Sequence, residues 1–130
     1  MAVPDMRQLV EDFHHKFGFS VGIPFGDDAE ILTKRMMILD EEVREFREAV
    51  AEGDKAHILK EMCDVLYALH GFAVCYGLPV NQAFERVHAS NMSKSRPSGV
   101  DNKAIKGDGY FPAQIDDLIA DLPRTGQTAA

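Results

Sequence analysis

The spacing of apolar and polar positions along the chain is helical almost throughout. Apolar residues recur every three or four positions, and the alternation that predicts strands is short wherever it occurs. The first helical stretch, residues 4–17, places Val10, Phe13 and Phe17 on one face together with Met6. A loop rich in glycine and aromatic residues, GFSVGIPFGDD, follows it. The pattern predicts an all-α fold.

Two long helices are predicted in the centre of the chain. The first begins near Asp27 or Asp28, either of which can cap it, and ends at residue 52 before Gly53. The second begins after the capping residue Asp54 and ends at residue 76, where Gly-Leu-Pro stops it. Because only two residues separate these helices, we expect a long antiparallel helix hairpin.

Shorter elements are predicted after the hairpin. Residues 80–93 and 113–121 fit helices, and residues 94–112 between them read as an irregular loop. Residues 123–130 are expected to form a flexible C-terminal tail. The sequence contains no internal repeat and no stretch typical of an interdomain linker. We therefore expect a single all-α domain over residues 1–122.

Composition and charge indicate which partners and which cellular compartment to expect. The 130 residues carry a formal charge of −7, so binding to a nucleic acid backbone is not expected. No apolar run reaches transmembrane length and the N-terminus lacks a signal-peptide pattern, so we expect a cytoplasmic protein with no membrane partner. Cys63 and Cys75 would lie about 18 Å apart along one helix, too far for a disulfide.

The second long helix is apolar around most of its circumference. Its apolar residues are Ile58, Leu59, Met62, Val65, Leu66, Leu69 and Phe72. This is more apolar surface than one thin domain can cover. We therefore expect a helical bundle that is completed by oligomerisation, in a homodimer or homotetramer.

Two pairs of acids stand at matching positions on the two long helices. Glu42 and Glu45 are three residues apart, as are Glu61 and Asp64, so each pair shares one helix face. Counted from Gly53, Glu45 and Glu61 lie eight residues away, and Glu42 and Asp64 lie eleven away. A hairpin would bring the four carboxylates together, where they would repel one another. A hard divalent cation would relieve this repulsion, which indicates Mg²⁺, with Mn²⁺ as an alternative.

Other interpretations of these acids remain open at this point. The acids could form a solvated helix face, with Arg44, Arg47 and Lys60 as partners. The protein would then be a non-catalytic helical dimerisation module. Glu85-x-x-His88 is the ligand element of di-iron bundles, but those bundles need two such pairs and the sequence has one.

The order of the acids resembles a known signature. Glu41-Glu42-x-x-Glu45, then fifteen residues, then Glu61-x-x-Asp64 is similar to the EExxE…ExxD pattern of MazG-like all-α nucleoside triphosphate pyrophosphohydrolases. That superfamily includes phosphoribosyl-ATP pyrophosphohydrolases and dimeric all-α dUTPases. Downstream, VHASNMSK and KAIKGDGYFP resemble the fourth helix with its phosphate-binding loop and the lysine–glycine–tyrosine segment of such proteins. The resemblance covers residues 5–118.

The resemblance implies an activity and assigns roles to the acids. The reaction is hydrolysis between the α- and β-phosphates of a nucleoside triphosphate, which releases pyrophosphate. Glu42, Glu45 and Glu61 would bind the metal together with Asp64. Glu41 would lie at the edge of the site, where it binds a further metal or orients the attacking water. These five acids are the predicted catalytic residues.

Further residues are predicted to contact the substrate. They are Asn91, Lys94, Lys106 and Tyr110 in the downstream segments, and His14 and Phe25 near the first helix. Ordinary surface lysines and packed aromatic residues are the alternative interpretation. The dUTPase-like relatives make dUTP or another non-canonical nucleotide the first substrate guess, in a house-cleaning role. Phosphoribosyl-ATP is the alternative.

Overall fold

The computed structural model describes residues 4–97 and 103–122. Within them the chain forms five helices: α1 (Met6–Phe17), α2 (Ala29–Glu52), α3 (Lys55–Cys75), α4 (Val80–Met92) and α5 (Asp116–Ile119). The described residues contain no strand, which confirms the predicted all-α class. The predicted tail, residues 123–130, lies outside the described residues.

Local capping explains where the long helices begin and end. The Asp28 side chain accepts a hydrogen bond from the Ile31 amide at the start of α2. Gly53 then ends α2 with a φ of 81°, a left-handed conformation that glycine adopts without steric cost. Asp54 follows at once and accepts from the amides of Ala56 and His57, which starts α3. The predicted bounds of both helices are confirmed to within two residues.

The described residues divide into two compact units, 4–78 with Leu122 and 79–121. In the first unit, α1 and α2 each pack against α3. The buried residues are mostly small and concentrate in the C-terminal half of α3: Val10, Ala49, Ala68, Ala73, Val74, Cys75 and Tyr76. The loop after α1 crosses the end of α3, where the amides of Gly22 and Ile23 donate to the Val74 and Cys75 carbonyls.

The second unit is built from α4 and the segment that follows it. Ser95 and Ile105 form an isolated antiparallel bridge through two backbone hydrogen bonds, of 2.8 and 3.0 Å. The Ser90 hydroxyl donates to the Phe111 carbonyl at 2.7 Å, and Arg86 forms an ion pair with Asp117. α5 is a single turn, shorter than the helix predicted over residues 113–121. No side chain caps its N-terminus, which leaves its first amides without that stabilisation.

Two further features bear on the sequence predictions. Cys63 and Cys75 are both free thiols, as predicted. Over the described parts of the chain, no single helix is long and apolar enough to cross a membrane, although α3 and α4 meet that test of length and composition when counted as a broken pair.

Candidate active site

Three of the predicted metal ligands come together between α2 and α3. One carboxylate oxygen from each of Glu42, Glu45 and Glu61 lies within 4.8 Å of the other two. Glu42 and Glu45 stand one helical turn apart on α2, and Glu61 reaches them from α3. The spacing brings three oxygen ligands within reach of a single cation.

Glu61 is the most buried member of this cluster, with 5% of its surface exposed. Its Oε1 atom lies 3.2 Å from His57 Nε2 and 3.6 Å from Lys60 Nζ. Its Oε2 atom is buried and has no hydrogen-bond partner among the described residues, and the same holds for Oε2 of Glu42. Buried carboxylate oxygens without donors are costly unless a cation satisfies them.

The electrostatics of the cluster favour a bound cation as well. Burial raises the pKa of Glu42, and the neighbouring charges of Glu45, Asp64, Glu61 and Glu41 raise it further. A divalent cation would reverse this repulsion, and an all-oxygen donor set suits hard cations such as Mg²⁺. The residues present therefore fit a divalent metal.

The other two predicted acids are placed differently. Asp64 lies one turn beyond Glu61 on α3, and its Oδ2 atom is 2.6 Å from Lys60 Nζ. It borders the same cavity as Glu42. Glu41 is exposed and lies outside the group of three. Its charge still acts on Glu42, as the raised pKa of that carboxyl group shows.

A cavity of about 580 Å³ adjoins the acids and lies within the first unit. It is bordered by α1, α2, α3 and the loop after α1, and its lining includes Glu42 and Asp64 as well as Phe13, His14, Phe19, Lys34, Arg35, Tyr67 and Gly71. The sequence did not predict the two cationic side chains of this lining, Lys34 and Arg35. Arg35 stands seven residues before Glu42, hence on the same helix face, and this spacing was the signal that could have identified it.

His14, a predicted substrate residue, is buried in the wall of this cavity. Its Nδ1 atom lies 2.8 Å from the Ser20 carbonyl oxygen, which orients the ring. Burial lowers the pKa of His14, so the ring is neutral at pH 7. Phe25, the other predicted aromatic contact, instead faces the rings of Phe72 and Tyr76 at centroid distances of 6.4 and 5.1 Å.

The remaining predicted substrate residues belong to the second unit. Asn91 is exposed near the end of α4. The backbone amide of Lys94 donates to the backbone carbonyl oxygen of Asn91 at 3.1 Å. The Lys106 ammonium group lies 5.2 Å from the centre of the Tyr110 ring, a cation–π contact. Asn91 and Lys106 are exposed, and Lys94 and Tyr110 are half-buried.

Comparison with known proteins identifies the family. A model of the phosphoribosyl-ATP pyrophosphohydrolase family matches residues 10–91, which include α2, α3 and all five predicted catalytic acids. No curated protein matches the chain significantly. Pyrophosphohydrolases of this family typically use divalent metals, in agreement with the acidic cluster. The chain belongs to the phosphoribosyl-ATP pyrophosphohydrolase family and is a nucleotide pyrophosphohydrolase, a hydrolase that acts on phosphoric anhydrides.

Proposed function

We propose that the protein is a Mg²⁺-dependent pyrophosphohydrolase that cleaves a nucleoside triphosphate between its α- and β-phosphates. The products are a nucleoside monophosphate and pyrophosphate. The observation that carries the proposal is the cluster of Glu42, Glu45 and Glu61, whose oxygens lie within 4.8 Å of one another. The buried, unpartnered oxygens of Glu42 and Glu61 support a cation in this place.

Each acid has a role in this proposal. Glu42, Glu45 and Glu61 hold the metal with Asp64, and Mn²⁺ is the alternative to Mg²⁺. When bound, the ion supplies the positive charge that lets a triphosphate approach these acids and polarises the phosphoryl oxygen. Glu41, exposed at the edge of the cluster, binds a further metal or orients the attacking water. A carboxylate not fully used as a ligand accepts the proton of that water.

We also propose that the second unit contributes substrate contacts. Asn91, Lys94, Lys106 and Tyr110 would bind the phosphates or the sugar. The support is charge: between positions 91 and 111 the sequence has four cationic residues against two acids, in a chain with a formal charge of −7. His14 and Phe25 are proposed to contact the base.

Two kinds of nucleotide are candidates for the substrate. The resemblance to dUTPases favours dUTP or another non-canonical nucleotide, in a house-cleaning role. The family match favours phosphoribosyl-ATP, after which the matching family is named. The match also favours an enzyme over the dimerisation module and the di-iron oxidase that the sequence left open.

We infer that α2 and α3 form an antiparallel hairpin and that the protein assembles as a homodimer or homotetramer. Contacts between residues whose distances from Gly53 match, Glu45 with Glu61 and Arg35 with Gly71, support the hairpin. The support for assembly is a row of exposed apolar side chains on α3: Leu59, Met62, Leu66 and Leu69. One domain over residues 1–122 remains part of this proposal.

The function is tested by measuring pyrophosphate release from dUTP, a panel of canonical and modified NTPs, and phosphoribosyl-ATP, with and without Mg²⁺. We expect release from one or a few substrates and only with the metal. Glu45→Ala and Asp64→Ala should each abolish release while the helical circular dichroism stays unchanged. Glu48→Ala, which removes an exposed acid of α2, is the matched control and should retain activity. Retained activity in both active-site variants would contradict the metal-site assignment.

A further inference from the structure

One histidine connects the acidic cluster to an acid that lies outside it. His57 Nε2 lies 3.2 Å from Oε1 of Glu61, and His57 Nδ1 lies 3.1 Å from Oε2 of Glu52. Glu52 is the last residue of α2, and His57 precedes Glu61 by one turn of α3. The imidazole ring therefore links the C-terminal end of α2 to the buried acid of α3.

Both the backbone and the ring of His57 are held in place. The His57 amide donates to Asp54 Oδ1 at 3.5 Å, as part of the cap of α3. Each ring nitrogen contacts a carboxylate, which only accepts hydrogen bonds, so an N–H of the ring makes each contact favourable. Rotation of the ring would break both contacts at once, and its orientation relative to Glu61 is therefore fixed.

The two carboxylate oxygens of Glu61 have different surroundings. Oε1 contacts His57, whereas Oε2 is buried and has no hydrogen-bond partner among the described residues. The terminal torsion of a glutamate is broad, so an unrestrained carboxylate would exchange these two oxygens. Lys60 Nζ also approaches Oε1, at 3.6 Å, but it lies closer to Asp64, at 2.6 Å. His57 is therefore the contact that keeps Oε1 in place and leaves Oε2 for a cation.

A contribution to stability alone does not account for this arrangement. The His57 side chain is 41% exposed and that of Glu52 is 61% exposed, and ion pairs in such positions stabilise a fold very little. The Glu61 side chain, in contrast, is 7% exposed. In metal sites, hydrogen bonds from outer residues orient the ligating carboxylates, and their loss weakens metal binding. The position of His57 fits this kind of role.

We propose that His57 is a positioning residue for the metal site. Through Nε2 it holds Oε1 of Glu61, so that Oε2 of the same carboxylate is presented to the cation shared with Glu42 and Glu45. Glu52 acts through His57, because it holds the other side of the ring. The inference rests on the proposed function, which places a divalent cation among the three glutamates. His57 itself does not contact the substrate, and its effect is on the affinity for the metal.

The binding test measures Mn²⁺ affinity from the electron paramagnetic resonance signal of the free ion, without substrate. His57→Ala should weaken Mn²⁺ binding by about 10- to 100-fold, while the melting temperature without metal stays unchanged. His57→Gln should keep most of the affinity, because its amide nitrogen is as many bonds from the backbone as Nε2. His15→Ala, which removes an exposed histidine of α1, is the matched control and should bind Mn²⁺ like the wild type. Equal affinities in the wild type and His57→Ala, or equal losses in His57→Ala and His57→Gln, would overturn the proposal.

A double-mutant cycle tests whether Glu52 acts through His57. Glu52→Ala should weaken Mn²⁺ binding in the wild type and have no further effect in His57→Ala. Glu48→Ala, which removes an exposed acid one turn earlier, controls for the loss of a negative charge. Additive losses would contradict the link through the ring. A wild type that binds no Mn²⁺ would overturn this inference together with the metal site, whereas Mn²⁺ binding without pyrophosphate release from any substrate refutes the proposed activity alone.

Discussion

At the scale of single residues, the buried charge of Glu61 lowers the stability of the fold unless a ligand binds it. The residue is 5% exposed, its carboxylate lies near those of Glu42 and Glu45, and one of its oxygens has no donor among the described residues. His57 and Lys60 contact the other oxygen from the exposed side, where water screens their charges. A side chain chosen for stability alone would be apolar or neutral here.

Replacing Glu61 with glutamine should therefore separate stability from function. The amide keeps the size of the side chain and removes a repelling charge, so the melting temperature without metal should stay the same or rise. Added Mg²⁺ should raise the melting temperature of the wild type and leave that of Glu61→Gln unchanged. Pyrophosphate release should fall at least about 100-fold. A variant that retains its thermal response to Mg²⁺ would exclude Glu61 as a ligand.

Sequence reasoning reached the acids but not Arg35, for a physical reason. The meeting of Glu45 and Glu61 follows from helical spacing and a two-residue connection, both of which are local. The environment of Arg35 depends on Phe19 in a loop and on Gly71 in another helix, so it is a tertiary property. A lone arginine on an amphipathic helix is otherwise typical of an ordinary surface residue.

At the scale of elements, helix boundaries were predictable where capping is local and were not where it is absent. Asp28, Gly53 and Asp54 set the ends of α2 and α3 within a few residues of sequence. α5 has no capping side chain, and it extends over one turn instead of the predicted nine residues. The sequence also does not show which face of α2 is buried: the apolar residues Met36 and Val50 are exposed, whereas Ala49 is fully buried.

Gly71→Ala tests how α3 positions a residue of α2. The new methyl group would lie 2.9 Å from Arg35 Nη1, and the flexible guanidinium group would move away. Alanine is about 1 kcal/mol more favourable than glycine in a helix interior, so thermal stability should be kept or slightly raised. Pyrophosphate release should nevertheless fall, because Arg35 lines the cavity beside the acids.

Gly53→Ala is the matched control for this prediction. Gly53 has a φ of 81°, and no atom lies within 4 Å of the position that an added methyl group would take, so alanine there causes backbone strain only. We expect a loss of about 1 kcal/mol in stability and an unchanged rate of pyrophosphate release. If Gly71→Ala left pyrophosphate release unchanged, the contact between Gly71 and Arg35 would have no role in activity.

At the scale of the whole molecule, α3 has two faces with different partners. One face buries Glu61, Ala68 and Gly71 within the first unit. The row of Leu59, Met62, Leu66 and Leu69, spaced three and four residues apart, remains 36–61% exposed. Such spacing is typical of a helix face that packs against another helix. A second copy of the chain would cover this row in the proposed homodimer or homotetramer.

Leu59→Glu combined with Leu69→Glu should disrupt this assembly. Charges on a buried helix face are costly to desolvate, so the dissociation constant should rise by about 100-fold or more. Sedimentation at micromolar concentration should find the wild type as a dimer or tetramer and the double variant as a monomer. Glu48→Lys, which changes the charge of an exposed side chain on α2 and lies outside the row, should leave assembly unchanged, and circular dichroism would verify the fold of each variant. A wild type that sediments as a stable monomer would contradict the proposed assembly, and the exposed leucines would then need another partner.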